Sequence, residues 1–262
     1  MSALRQSVPD WCFFRQQDDP RSYYRRLREI GYGGVEMVDP ARQPAARAAG
    51  LEIVNLAAPG MQEGFNRLDR HATLLPRIRA AVSEAAAEGI GQVIVFSGNR
   101  GALSPEEGMR NCALALKELA GAAERSRVTL VFEMLNGHDH PDYQADSSAF
   151  GFEVVRAVGS PAVKVLYDVY HLHRMGEDLL RPLLRNLELV AHIHVAGSPR
   201  RDFPGPDQAI DYARLVARVQ AAGFRGYWGQ EFVPRGDPFA ELEAAGRLFE
   251  SFVQPAGSGN RD

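Results

Sequence analysis

A repeated helix–glycine–strand pattern constrains the fold of this chain more than any other feature of its sequence. In five places a helical pattern rich in Ala, Leu and Arg ends at a glycine, and a short apolar run follows within a few residues. These glycines are Gly31, Gly50, Gly89, Gly159 and Gly223. A helix often ends at a residue in the left-handed region, where glycine has no Cβ penalty. Each glycine therefore predicts the end of a helix that leads into a buried strand.

The apolar runs predict eight strands that alternate with helices. Five of them follow the glycines, two have the right length without a glycine, and a weak first strand begins at Gln6. The predicted strands are 6–8, 35–38, 53–56, 93–96, 130–133, 163–168, 190–195 and 227–231. Strict alternation implies parallel strands and right-handed crossovers, and eight such units favour a single-domain (β/α)8 TIM barrel of the α/β class. A doubly wound open sheet is the alternative, but no glycine-rich phosphate loop follows any strand.

Four capping side chains followed by proline mark predicted helix starts, at Asp19, Asp39, Ser104 and Asp237. The barrel is predicted over residues 1–254. Residues 255–262, with their Gly, Ser and Asn content, are predicted to form a flexible C-terminal tail.

Composition and charge argue against several classes of protein. The chain has 30 Lys and Arg against 33 Asp and Glu, a net charge of −3, which disfavours a nucleic-acid binder. No apolar stretch approaches the roughly 18 residues of a membrane span, and the first six residues contain no signal-peptide hydrophobic region. Cys12 and Cys112 are too few for a disulfide framework and are predicted to be packing residues. We therefore expect a cytoplasmic protein without a nucleic-acid or membrane partner. Its oligomeric state stays open, and a homo-oligomer is one alternative.

Polar residues stand at the ends of four consecutive predicted strands: Glu133, Asp168, His194 and Glu231. Neighbouring members are about one strand, loop and helix apart, so all four are expected to converge at the barrel mouth. A single carboxylate at a strand end would more often pair with an arginine. Three carboxylates cannot share a partly buried mouth without compensation, because burying unpaired charge is costly. The sequence therefore predicts one bound divalent cation. The mixed oxygen and nitrogen ligands suit Mn²⁺ or Mg²⁺, and Co²⁺ and Zn²⁺ are also compatible.

The histidines other than His194 have different expected roles. His192 lies two residues before His194 on the same strand, so it faces the same side and is either a further ligand or a buried core histidine. His171, on a predicted loop after Asp168, is within reach of a bound substrate. His138, His140 and His173 are expected to be solvated. The role of His71 is left open.

Arg200 and Arg201 follow the seventh predicted strand. Paired arginines at the mouth either bind a carboxylate or phosphate of the substrate or form a solvated turn, with Asp202 neutralising one of them. Three aromatic residues after the first strand form either an apolar wall or simple core: Trp11, Phe13 and Phe14.

Three segments resemble the hydroxypyruvate isomerase family, which belongs with the D-tagatose 3-epimerases to the xylose isomerase-like TIM barrels. They are 166–171 (LYDVYH), 192–197 (HIHVAG) and 228–232 (WGQEF), and the similarity extends over nearly the whole chain, including 96–100 and 133–136. The resemblance implies that Glu133, Asp168, His194 and Glu231 bind the metal and that Glu133 and Glu231 are the catalytic acid/base pair. It also implies substrate contacts by His171 and by Arg200 or Arg201.

Two departures from the family leave the substrate open. The best-known hydroxypyruvate isomerases have glutamine as the third ligand, where this chain has His194 like the epimerases, and the Arg-His-Glu of the family is Arg201-Asp202-Phe203 here. We expect a metal-dependent isomerase that transfers a proton through an enediolate, converting hydroxypyruvate to tartronate semialdehyde or acting on a similar short keto acid. A ketose 3-epimerase or another sugar isomerase of carbohydrate metabolism is the alternative.

Three further alternatives fit the sequence less well. An endonuclease IV-like repair enzyme needs several metals and more His and Asp ligands than the strand ends offer. A non-catalytic sugar-binding barrel would not need two carboxylates flanking the metal. A hydride shift like that of xylose isomerase employs two metals, and the sequence presents a ligand set for one.

Overall fold

Parallel strands form one sheet that closes almost completely into a barrel. The computed structural model describes residues 4–253, so the predicted tail, 255–262, lies outside the described residues. The strands are β1 (Gln6–Pro9), β2 (Gly34–Glu36), β3 (Glu52–Ile53), β4 (Asn55–Ala57), β5 (Gln92–Phe96), β6 (Thr129–Glu133), β7 (Val163–Asp168), β8 (Val190–Val195) and β9 (Tyr227–Gln230).

These nine strands occupy eight positions of the barrel, because β3 and β4 are two parts of one strand that is interrupted at Val54. Their order in the sheet is β3-β2-β1-β9-β8-β7-β6-β5-β4, and every pair is parallel. The first strand pairs with the last, Ser7 lying opposite Gly229. This pairing confirms the predicted single-domain TIM barrel and shows that the doubly wound open sheet was the wrong alternative.

Helices connect the strands. They are α1 (Asp10–Phe13), α2 (Pro20–Glu29), α3 (Gln43–Ala48), α4 (Leu68–Ala87), α5 (Pro105–Ser126), α6 (Ser148–Val158), α7 (Val169–Arg174), α8 (Leu180–Arg185), α9 (Tyr212–Ala221) and α10 (Pro238–Ser251). Within residues 4–253, none of them combines the length and the apolar character needed to cross a bilayer.

Three of the four predicted helix caps are confirmed. Asp19, Ser104 and Asp237 each accept a hydrogen bond from the backbone N–H three residues ahead. The prediction for Asp39 was wrong, because its carboxylate instead accepts the N–H of Ala41 in a turn. Helix α3 begins only at Gln43, with a different proline in its first turn.

All five predicted helix-ending glycines have a positive φ, between 65° at Gly89 and 105° at Gly31. The strand that follows α5 lacks such a glycine because Arg127 occupies the left-handed position there, with φ 55°. A non-glycine residue in that region is uncommon, which is why the sequence pattern is interrupted at this helix.

The apolar core lies between the strands and the surrounding helices. Trp228 of β9 packs outward against Phe224 and Phe249, with ring centroids 5.9 and 6.3 Å apart. Both cysteines are buried and unpaired, as predicted. The interior of the barrel is different, because fully buried polar side chains line it: Ser7, Glu36, Asn55, His192 and His194.

Candidate active site

Four polar side chains from consecutive strands meet at the carboxyl ends of β6 to β9. Each of Glu133, Asp168, His194 and Glu231 contributes one oxygen or nitrogen atom to a group whose members all lie within 4.8 Å of one another. All four are buried. Three of them lie on strands, and Glu231 follows the last residue of β9. The convergence expected from the spacing of these residues is therefore present.

Strand register explains this convergence. Asp168 lies directly opposite His194 in the pairing of β7 with β8, and His194 lies opposite Gly229 in the pairing of β8 with β9. Asp168 also caps α7, accepting the backbone N–H of His171 at 3.0 Å. This hydrogen bond to Oδ1 joins the end of β7 to the start of α7, and it holds the carboxylate of Asp168 at the barrel mouth.

The charges in this group are strongly coupled. Burial raises the pKa of Glu133 and raises the pKa of Asp168 to about 7. Burial alone would also raise the pKa of Glu231, but the positive charges of His194 and Arg201 hold that pKa below its usual range. Burial opposes a charge on His194, yet Glu231 and Glu36 raise the pKa of His194 well above its ordinary value. Protonation thus offsets the accumulated negative charge, and a cation at the same place would do so too.

The donor atoms fit a divalent cation. Nδ1 of His194 lies 3.0 Å from Oε2 of Glu231 and 3.6 Å from Oε1 of Glu133. It is fully buried, and no atom of the described residues forms an aligned hydrogen bond with it. An imidazole nitrogen that faces carboxylate oxygens without such a bond is suited to metal coordination. Three carboxylates with one imidazole provide the mixed ligand set expected from the sequence.

The structure distinguishes the two candidate arginines. Arg201 is 17% exposed at its side chain and donates from Nη2 to Oε2 of Glu231 at 2.6 Å, with Asp168 Oδ2 3.9 Å away. Arg200 is 60% exposed and pairs with Asp202 at 2.8 Å instead. Arg200 therefore forms the solvated turn, and Arg201 is the arginine at the candidate site.

The backbone of Arg201 has an uncommon conformation. Arg201 has φ 54°, in the left-handed region, and its carbonyl accepts the N–H of Val233 at 2.7 Å. A bridge between Gly197 and Asp202 closes the loop around it. The left-handed region costs a non-glycine residue about 1 kcal/mol, and such residues cluster at functional sites.

The sequence predicted a loop at His171, but this residue lies on the short helix α7. It is fully buried beside Asp168, with 3.6 Å between Nε2 and Oδ2. Its Nδ1 accepts the backbone N–H of Asn136 at 3.1 Å, so the proton of the neutral ring is on Nε2. Burial and the charge of Arg201 lower the pKa of His171 well below its usual value. His171 therefore presents a neutral N–H to the site.

Aromatic residues after β1 have separate roles. Trp11 is 50% exposed, donates from Nε1 to Oε1 of Glu231 at 3.0 Å, and has the guanidinium of Arg201 5.1 Å from its ring centroid. Phe13 is core, with its ring 4.9 Å from that of Phe232. Phe14 is partly buried and packs beside the core. Trp11 thus forms a wall of the site, and the two phenylalanines do not.

The other histidines were only partly predicted. His138 is exposed, as expected. His173 lies on α7, not on a loop, and its Nδ1 is 2.7 Å from the hydroxyl of Ser198. His140 is half-buried, with its ring 5.4 Å from that of His171. The Nε2 atom of His71 is 2.8 Å from the carbonyl oxygen of Phe65.

One residue of the site was missed by sequence reasoning. Glu36 ends β2 and is fully buried, with Oε2 2.8 Å from Nε2 of His194 and 3.1 Å from Nε2 of His192. His192 itself is fully buried and lies outside the four-residue group, in a second close group with Glu36 and His194. Glu36 is a polar strand end like the four predicted residues. The strand predicted from the sequence ran over 35–38, so Glu36 lay inside it and a search of the predicted strand ends did not find it.

A family model described as xylose isomerase-like TIM barrel matches residues 24–251 of this chain. The 2-oxo-tetronate isomerase of Cupriavidus necator is 30% identical over 229 residues, which cover 81% of this chain and 86% of that protein. The hydroxypyruvate isomerase of Escherichia coli is 24% identical over 197 residues, which cover 75% of this chain and 71% of that protein.

Among solved structures, an AP endonuclease of family 2 from Brucella melitensis superposes with a TM-score of 0.81 at 22% identity, covering 91% of this chain and 97% of that one. At this identity the likeness shows the fold alone. The family match over most of the chain and the named relatives agree with the fold. The chain belongs to the xylose isomerase-like TIM barrel family and is an isomerase.

Proposed function

We propose that this isomerase depends on one divalent cation and acts on a short 2-keto acid such as hydroxypyruvate. The observation that carries the proposal is the group of Glu133, Asp168, His194 and Glu231 within 4.8 Å, beside the buried guanidinium of Arg201. The first four residues are proposed as metal ligands. The arginine is proposed to bind the carboxylate of the substrate.

A bound divalent cation supplies positive charge that stabilises the negative charge developing on the substrate oxygens during isomerisation. The ligand set favours Mn²⁺ or Mg²⁺, and Co²⁺ and Zn²⁺ are compatible with it. Trp11 and Arg201 lie beside these four side chains, and both donate to Glu231.

Glu133 and Glu231 are proposed to move the proton. One takes the proton from the carbon that bears the hydroxyl group, and the other returns a proton to the former carbonyl carbon, while the hydroxyl proton passes to the former carbonyl oxygen. The two carboxylates have different surroundings. Arg201 and His194 stabilise the anionic form of Glu231, whereas burial raises the pKa of Glu133. Environments that separate two carboxylates in this way are typical of an acid/base pair.

Two hydrogen-bond donors beside the cluster support an anionic substrate. Arg201 engages Glu231 through Nη2, and its Nη1 lies 3.2 Å from Nε2 of His171. Both atoms carry protons, because Nδ1 of His171 is occupied as an acceptor. Two adjacent donors need an acceptor, and a substrate carboxylate against both satisfies them with charge-assisted hydrogen bonds.

An activity screen tests the proposal. Protein loaded with Mg²⁺ or Mn²⁺ is offered hydroxypyruvate, 2-oxo-tetronate and common uncharged ketoses, and the products are read by NMR. Turnover of a keto acid that is abolished by chelation and restored by the cation supports the proposal. Equal activity with and without the cation would contradict the metal dependence.

A ketose 3-epimerase is the second candidate, and His194 favours it, because the family resemblance places histidine at this ligand position in the epimerases. Epimerisation inverts a carbon next to the carbonyl with the same pair of carboxylates and needs no group for a substrate carboxylate. Turnover of a ketose but of neither keto acid in the same screen would favour the epimerase.

A further inference from the structure

We propose that Glu36 is a positioning residue for His194, holding the proton of the ring on Nε2 so that Nδ1 faces the cation site. This inference rests on the proposed metal centre. Glu36 lies below that centre, in the interior of the barrel, and is not one of the four proposed ligands.

The imidazole of His194 lies between carboxylates on its two sides. Oε2 of Glu36 is 2.8 Å from Nε2, and on the other side Oε2 of Glu231 is 3.0 Å from Nδ1. A neutral imidazole carries one N–H, and the hydrogen bond made by one ring nitrogen decides which nitrogen binds a metal. A carboxylate at Nε2 thus leaves the lone pair of Nδ1 for the cation.

Glu36 is itself held rigidly. The hydroxyl of Ser7 donates to Oε1 at 2.6 Å, and Nδ2 of Asn55 donates to Oε2 at 2.5 Å. These donors come from β1 and β4, on the strands that flank β2 in the barrel. Because both oxygens accept hydrogen bonds within a buried site, the carboxylate is stabilised as an anion and its orientation is set.

The same contacts argue against a second cation between Glu36, His192 and His194, although these three residues also lie within reach of one another. Ser7, Asn55 and His194 already donate to the carboxylate of Glu36. A cation would compete with these three donors for the same lone pairs. The geometry is that of a saturated acceptor that orients a ligand.

Gly229 of β9 leaves the space that this arrangement needs. A Cβ at this position would lie 2.4 Å from Oε1 of Glu36 and 2.7 Å from Cδ2 of His194. His194 and Gly229 are directly paired across β8 and β9. A glycine opposite the ligand histidine therefore allows Glu36 to reach the far side of the ring.

Two substitutions separate the charge of Glu36 from its acceptor oxygen. Glu36→Gln keeps an oxygen and removes the charge, whereas Glu36→Leu removes both. Zn²⁺ affinity of chelator-treated protein is measured by calorimetry, and the proton position on His194 is read in Zn²⁺-loaded, ¹⁵N-histidine-labelled protein by NMR. We expect affinity about 10- to 100-fold weaker in these variants, with the larger loss in Glu36→Leu, and a proton on Nε2 in the unsubstituted protein.

Two further variants keep the test readable. Ser7→Ala removes one hydrogen bond from Glu36 and leaves the side chain of His194 unchanged. We expect it to lose less Zn²⁺ affinity than Glu36→Gln, and it provides a second test if Glu36→Leu fails to fold. Glu52→Gln is the matched control, because Glu52 is an exposed carboxylate on β3 that pairs with Arg5. Its Zn²⁺ affinity should equal that of the unsubstituted protein.

The outcomes distinguish the inference from the function on which it rests. Unchanged Zn²⁺ affinity in both Glu36→Gln and Ser7→Ala would overturn the role of Glu36 and leave the metal centre standing. A proton on Nδ1 of His194 in the Zn²⁺-loaded protein would overturn both that role and the assignment of His194 as a ligand. Absence of Zn²⁺ binding by the unsubstituted protein would overturn the proposed metal centre itself.

Discussion

The guanidinium of Arg201 donates a hydrogen bond from Nη2 to Oε2 of Glu231 across 2.6 Å. The same guanidinium lies 5.1 and 5.2 Å from the ring centroids of Trp11 and Tyr170. Cation–π contacts on both aromatic rings and an ion pair with a proposed catalytic carboxylate fix the arginine at the mouth of the barrel. A substrate carboxylate that binds Arg201 is thereby placed next to the group that moves the proton.

Arg201→Gln should raise the KM for hydroxypyruvate about 10- to 100-fold, because charged hydrogen bonds contribute about 1.5–3 kcal/mol each. Arg200→Gln is the control and should leave KM unchanged, since Arg200 points to solvent and pairs with Asp202. Steady-state kinetics of both variants, measured in parallel, check this. Equal effects of the two substitutions would contradict the assignment of Arg201.

Glu133→Gln and Glu231→Gln should each lower kcat at least about a hundredfold, the usual scale for loss of a general acid or base. Turnover is measured at saturating Mg²⁺ or Mn²⁺, so that weaker cation binding is separated from lost proton transfer. A variant that keeps more than about a tenth of the original kcat would remove that glutamate from the proposed acid/base pair.

Cation affinity should fall as the pH is lowered from 8 to 6. Burial raises the pKa of Asp168 to about 7 and also raises the pKa of Glu133, so protons occupy these carboxylates over part of that range. The cation requires the deprotonated forms, and its binding therefore releases protons. Calorimetric titration with Mn²⁺ at several pH values, in buffers of different ionisation enthalpy, measures both effects. A pH-independent affinity without proton release would be inconsistent with these ligands.

Gly229→Ala should lower the free energy of unfolding by about 1–3 kcal/mol, as expected for a group forced into a well-packed interior. Its added Cβ would meet Glu36 and His194. Gly91→Ala is the matched control, because no atom lies within 4 Å of a Cβ at that position. Urea denaturation of both variants provides the comparison, and similar stabilities would show that the strand adjusts without cost.

Local rules predicted much of this fold and of its site. The five glycines end helices because their positive φ is a backbone requirement that is visible in sequence. The four strand-end residues could be found because consecutive β/α units place equivalent positions at one mouth. Both features depend on spacing along the chain.

Contacts between distant segments were not visible in the sequence. Glu36 becomes part of the site only because β2 and β8 face each other across the barrel interior. The choice between Arg200 and Arg201 depends on the contacts of the two side chains, Arg201 with Glu231 and Arg200 with Asp202. Asp39 resembled a helix cap, but its side chain closes a local turn before the helix begins.

Proton transfer between Glu133 and Glu231 is tested most directly by turnover of hydroxypyruvate in D₂O with Mg²⁺-loaded protein, followed by NMR. A proton held on a glutamate exchanges with solvent, whereas a hydride that moves between adjacent carbons does not. We expect tartronate semialdehyde with deuterium on the carbon that was the carbonyl of the substrate. Product that carries only substrate-derived hydrogen at that carbon over many turnovers, or no turnover of hydroxypyruvate at all, would contradict the account.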